Sequence, residues 1–238
     1  LYWDFETNSI STDPSKLIHQ GVGERQTIGG NIKLNNNVGI YNIDIKADGD
    51  GIDTHGIYIQ NLSNVTVENV NIAGFTGEAI DGKERAGIYI SGENTTANLK
   101  NITVDNSQVG AIILGGKVNT DTLIISNSVT QGIKASNSTI ESYDISVTAS
   151  GDMGVQFNNV EFSGDTFSVE QSISSGLQSY DSKISLSGSL QVMQAEDSEQ
   201  GHGIVDIVHG GEGVAKAQQQ IPCPFRQVAE IALHHGGP

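Results

Sequence analysis

Cysteine, proline, arginine and aromatic side chains are all scarce in this 238-residue chain. Cys223 is the single cysteine, so no disulfide can close within the chain. A secreted protein without disulfides is more typical of bacteria than of animals. There are four prolines and none between Pro14 and Pro222. The long middle section therefore contains nothing that would interrupt continuous strand pairing. Arg25, Arg85 and Arg226 are the only arginines, and 28 acidic residues against 12 basic ones leave a net charge of −16. Such a surface repels phosphate backbones, which excludes nucleic acid as a partner, and it repels acidic polysaccharides unless divalent cations bridge them. No apolar run approaches the roughly 20 residues of a membrane span, so no membrane insertion of this segment is expected. No signal peptide is visible. The start at Leu1 rather than Met points to processing or truncation.

What is present is a repeat. Gly110-Ala111, Gly132-Ile133, Gly154-Val155 and Gly176-Leu177 follow one another at equal intervals. Gly87-Ile88-Tyr89-Ile90 precedes Gly110 by almost the same interval, and Gly56-Ile57-Tyr58-Ile59 stands a longer step before that. A fixed short period signals a solenoid in which each repeat stacks on its neighbours. With the glycine as offset zero, offset 8 holds Val118, Ile140, Phe162 and Ile184. Offset 13 holds Leu123, Ile145 and Phe167, and offset 15 holds Ile125, Val147 and Val169. Offsets 13 and 15 differ by two, which puts both side chains on one face of a strand. Offset 5 holds Asn137, Asn159 and Asp181, residues that tolerate left-handed dihedrals at sharp corners. Stacked amides there can also bond along the rod.

These patterns predict an all-β fold, a right-handed, single-stranded parallel β-helix of about 22 residues per coil with roughly eight or nine coils. The offset-8, 13 and 15 columns are expected inside. Residues 1–27 lack the repeat, and Leu1-Tyr2-Trp3-Asp4-Phe5 reads as an apolar cap or first strand. Residues 28–209 form the rod. Residues 210–238 change character. Apolar residues at 225, 228, 229 and 232 have helical spacing, which leaves two readings for this tail: a short helical cap, or non-native sequence.

The long coil between Gly56 and Gly87 is the outlier, and insertions in solenoids gather on one face, often the binding face. Its extra residues run from Gly74 to Ala86, and Phe75, Glu78, Asp81, Lys83, Glu84 and Arg85 are its candidate binding residues. Aligning the two Gly-Ile-Tyr-Ile strands puts Asp50 over Asp81 and Asp53 over Glu84. Four carboxylates in a small patch invite a hard cation with oxygen ligands, Ca²⁺ (calcium) above all. Otherwise one carboxyl takes a raised pKa and serves as a general acid. The competing reading is a solvated acidic turn partly offset by Lys83 and Arg85. No complete catalytic set is present, and no cofactor beyond calcium is implied. His55 borders the patch as a turn residue.

Glycine-led coils at a fixed short period, few aromatics, near-absence of cysteine, strong acidity and abundant Ser, Thr and Asn together resemble the passenger domain of a bacterial autotransporter, the adhesin group in particular. The resemblance covers roughly residues 28–205. It implies a secreted or cell-surface β-helix that binds a host surface protein or glycan, or another copy of itself. The serine-protease version of that family carries a Gly-Asp-Ser-Gly motif, which this chain lacks. Two alternatives stand beside it. One is a polysaccharide-active β-helix resembling pectate lyases, with Arg85 beside the acidic patch; the other is a structural stalk or phage-spike segment.

Overall fold

The computed structural model describes residues 2–4, 9–11, 26–34, 36–47, 55–77, 84–194, 205–208 and 229–230. All regular structure among them is β. Among the described residues the rod is a 16-stranded assembly in which all strands but the last pair in parallel with the equivalent strand one coil away. It makes about 7 turns, with successive coils about 22 residues apart: a parallel β-helix. The early coils are longer than the later ones. Ile40 pairs with Val67, Ile57 with Ile88 and Val70 with Ile102, each a longer step than the later pairing of Ile133 with Val155.

One sheet of each coil is built from β4 (Ile32–Lys33), β7 (His55–Gln60), β9 (Ala86–Ser91), β11 (Val109–Leu114), the start of β13 (Ile133–Thr148), the start of β14 (Met153–Ser172) and β15 (Ser175–Tyr180). The opposing side carries β3 (Gln26–Gly29), β5 (Gly39–Tyr41), β6 (Ile43–Lys46), β8 (Val65–Ala73), β10 (Thr96–Asp105), β12 (Lys117–Ser126), the later parts of β13 and β14, and β16 (Lys183–Gln194). Apart from the rod, β1 (Tyr2–Asp4) pairs antiparallel with β2 (Ser9–Ser11). Toward the C-terminus, β17 (Val205–Val208) extends the first sheet, and β18 (Ala229–Glu230) pairs antiparallel with Gln191 and Val192. The two described residues of the stretch with helical spacing are thus extended; its remainder lies outside the described residues.

The expected columns lie inside, except that Ile184 of the offset-8 column is only partly buried. Leu123, Ile145 and Phe167 pair in sequence along the rod and are all but inaccessible, as are Ile125, Val147 and Val169. Three phenylalanines, Phe157, Phe162 and Phe167, fill the cross-section of a single coil with ring centres 5.1–6.1 Å apart. Their neighbours shrink to make room. Ala135 and Ser179 flank Phe157, and a Cβ on Gly164 would lie 3.2 Å from the Phe162 ring. Volume is conserved across stacked layers, as a close-packed interior requires.

The glycine column follows from crowding rather than from unusual dihedrals. A Cβ on Gly132 would collide with Val147 and lie 2.6 Å from the carbonyl oxygen of Gly154; Gly110 and Gly154 face equivalent obstacles. The corner column behaves as its residue types dictate. Asn137, Asn159 and Asp181 have φ of 49°, 53° and 47°, and Asn159 Nδ2 donates to Asn137 Oδ1 at 2.8 Å. A second ladder joins Asn101 to Asn69 to Asn42, each step 3.0 Å, again at positive φ.

Candidate functional site: an insert and a corner groove

The two Gly-Ile-Tyr-Ile strands pair in register, Ile57 with Ile88 and Tyr58 with Tyr89. Asp50, Asp53 and Asp81, with Glu78 and Lys83, lie outside the described residues. Of the four expected calcium ligands only Glu84 is described, and its Oε2 sits 2.6 Å from Lys134 Nζ, a pair about one-third exposed. Among the described residues no group of three or more His, Cys, Asp or Glu side chains is arranged to hold a metal.

The insert is fastened at both ends. Phe75 is fully buried in the core, beside Gly56, and its carbonyl accepts the Gln108 N–H at 2.8 Å. Its ring is an anchor and presents nothing to a ligand. Arg85 is 9% exposed and lies against Gly77, while its carbonyl accepts the Val109 N–H at 3.0 Å. The Glu84–Lys134 bridge reaches two coils along the rod. Beside it, the outward side chains Ala86, Val109 and Ile112 form a small buried cluster with Tyr89.

Next to that cluster, Tyr58 and Tyr89 stack nearly parallel at 5.2 Å, and His55 stacks on Tyr89 at 4.3 Å. Lys33 caps the stack, its ammonium 5.5 Å from the Tyr58 ring centre. Tyr58 donates its hydroxyl to Gln60 Oε1 at 2.6 Å. Burial, with the neighbouring Tyr89 charge, raises the Tyr58 pKa above the ordinary 10.0. The ring faces are spent on one another, so this ladder leaves only ring edges for contact.

A concave feature of the described surface lies at the corner that joins the two sheets. A depression of about 760 Å³ runs along it from Glu93 to Lys183. Its shape comes from one length change. Ser91 pairs with Leu114 and Thr96 with Lys117, so four residues turn the corner in one coil and two in the next. The extra pair, Glu93 and Asn94, projects outward and is exposed. The next corner is Gly115-Gly116, with φ of +89° and +83°, where a Cβ on Gly116 would lie 2.5 Å from the Thr95 carbonyl oxygen. The close approach of the two corners leaves no room there for a side chain. Beyond it the floor is the exposed Asn137, Asn159 and Asp181 column, and one wall is the paired row Thr96, Lys117, Thr139, Glu161 and Lys183.

The charges in this groove nearly balance. Lys183 lies 3.4 Å from Glu161, and Lys117 lies 2.7 Å from Glu141; both pairs are about half-exposed or more. The backbone behind the groove is already bonded. Lys117 N–H donates to Thr95 O, Thr139 N–H to Gly116 O, and Gly115 N–H to Ser136 O, at 2.8–3.0 Å.

No protein-family model, curated protein or solved structure matches this chain. The rod itself is what remains to indicate a function.

Two features escape the sequence patterns. The groove depends on the register of two corners of different length, which the Gly115-Gly116 pair alone does not announce. A column of buried serines, Ser107, Ser128, Ser150 and Ser172, also lies inside the coil. The near-even spacing of these serines is a signal that a search for apolar columns passes over.

Proposed function

We propose that the chain is a stretch of a secreted or surface-displayed binding rod of the adhesin type. In this reading it engages a host surface molecule or another copy of itself by many weak polar contacts. The observation that carries it is the corner groove: an extended, charge-balanced, side-chain-lined depression following the rod axis, on a scaffold whose main-chain groups are already paired along that corner. Weak contacts of this kind gain strength when many copies are displayed together. The resemblance to autotransporter passengers points the same way.

The test is attachment. Beads coated with the purified chain at rising density should clump, or adhere to cultured animal cells, with a steep dependence on coating density. Beads that neither clump nor adhere at saturating density contradict the proposal. Release of products from any polysaccharide by the purified chain would replace it with the enzymatic reading.

A further inference from the structure

Resting on the binding-rod reading, we infer that the corner groove takes a neutral, extended oligosaccharide laid parallel to the rod axis, with about one sugar ring per coil.

The groove's bonding groups select the class of ligand. A peptide adding as a β-strand needs a free row of N–H and C=O groups. Those of this corner bond from coil to coil, Lys117 to Thr95, Thr139 to Gly116 and Gly115 to Ser136. Recognition therefore falls to side chains. The floor side chains are amides and a carboxylate, Asn137, Asn159 and Asp181, all exposed. An amide both donates and accepts, a carboxylate accepts and an ammonium donates. Sugar hydroxyls do both, so they can pair with every one of these groups.

Charge narrows the class further. A polyanion would meet Glu93, Glu161 and Asp181 with two lysines already engaged by glutamates, on a chain of net charge −16. A neutral chain avoids that cost. Geometry supplies the remaining constraint. The wall row from Thr96 to Lys183 crosses five coils. At about 4.8 Å per step this gives roughly 19 Å of repeating surface. A hexopyranose in an extended β-linked chain advances by about one such step, so successive rings meet the side chains of successive coils.

The experiment is calorimetric titration of the chain with β-linked glucose oligomers of increasing length. Affinity should climb with each added ring and level off at about four or five rings, the number of coils spanned. The variant pair Asn159→Gly and Asp181→Gly removes floor side chains while keeping residues that accept positive φ. Together they should weaken binding by at least about tenfold, as expected for losing one or two hydrogen bonds, with only the modest fall in melting temperature that loss of the Asn159–Asn137 bond brings. Gln156→Ala, on the outer face of the first sheet, should leave binding unchanged. No binding by any oligomer, affinity independent of length, or full affinity in the double variant overturns the inference. Beads that adhere to cells while the chain ignores every oligomer would remove the oligosaccharide as the groove's ligand and leave the binding rod standing. Oligomer binding without any bead adhesion or clumping would do the reverse.

Discussion

The coils after Gly110 and those before it are built on the same interior and differ on the outside. From Gly110 to Leu177 the glycine column advances in equal steps, and the turns are short. Between Ile40 and Ile102 the steps are longer and unequal. Yet Ile45, Ile72, Val104, Ile125, Val147 and Val169 form one unbroken paired column through both parts. The core register stays intact through both parts, and at the corner before Thr96 the extra Glu93 and Asn94 stand exposed. A solenoid can do this because each coil answers only to its neighbours. The regular part therefore supplies the repeating floor of the groove. The irregular part supplies its projecting end at Glu93 and Asn94, the tethered insert and the aromatic ladder.

The harshest test of this comparison removes matched anchors. Phe167→Ala empties part of the three-ring layer and should cost about 3–5 kcal/mol in chemical denaturation. Phe75→Ala, in the irregular part, should cost a similar amount and also speed protease cleavage between residues 78 and 83, which Phe167→Ala should not do selectively. Equal cleavage in both variants would mean that the insert is not held by its buried anchor.

Next comes the crowding that explains the glycine column. Gly132→Ala drives a methyl into Val147 and the Gly154 carbonyl, and should cost about 1–3 kcal/mol. A neutral result would return the period to coincidence. Smaller again is the corner ladder of the early coils. Asn69→Ala at φ 55° loses two side-chain bonds, to Asn42 and from Asn101, and keeps a strained dihedral, which should cost about 1–2 kcal/mol. Asn69→Gly should recover part of that loss.

Tyr58 separates the two parts by pH. Its pKa is raised in the folded state, so its contribution to stability is intact below its ordinary value of 10.0 and is lost as pH rises through the folded value. Alkaline unfolding curves should therefore fall away less steeply for Tyr58→Phe than for the unsubstituted chain. The smallest effect belongs to Glu84→Gln. The partly exposed bridge to Lys134 should contribute no more than about 1 kcal/mol, and less at high salt.

Much of the interior was legible because it is repetitive. Phe162, Ile145 and Val169 are inside for the reason the spacing indicates, since equal offsets stack and apolar columns must be buried. The Asn137–Asn159 bond was legible for the same reason. The exterior was less so. Phe75 looked like a ligand contact because it sits in an insertion, whereas packing drew its ring into the core. Glu84 looked like a partner for Asp53, but its described partner is Lys134, two coils along the rod. Such a contact depends on how far a chain reaches along the rod, and periodicity carries no information about it. The carboxylates Asp50, Asp53 and Asp81 lie outside the described residues, so the calcium expectation stands as an expectation.

The most direct measurement is an amide chemical-shift map of the chain on adding a neutral β-linked glucose tetramer. The account predicts perturbations along the corner, at Glu93–Thr96, Gly116–Lys117, Asn137–Thr139 and Asn159–Glu161, with the outer faces of both sheets silent. Shifts concentrated at His55, Tyr58 and Tyr89, or no shifts at saturating sugar, would contradict it.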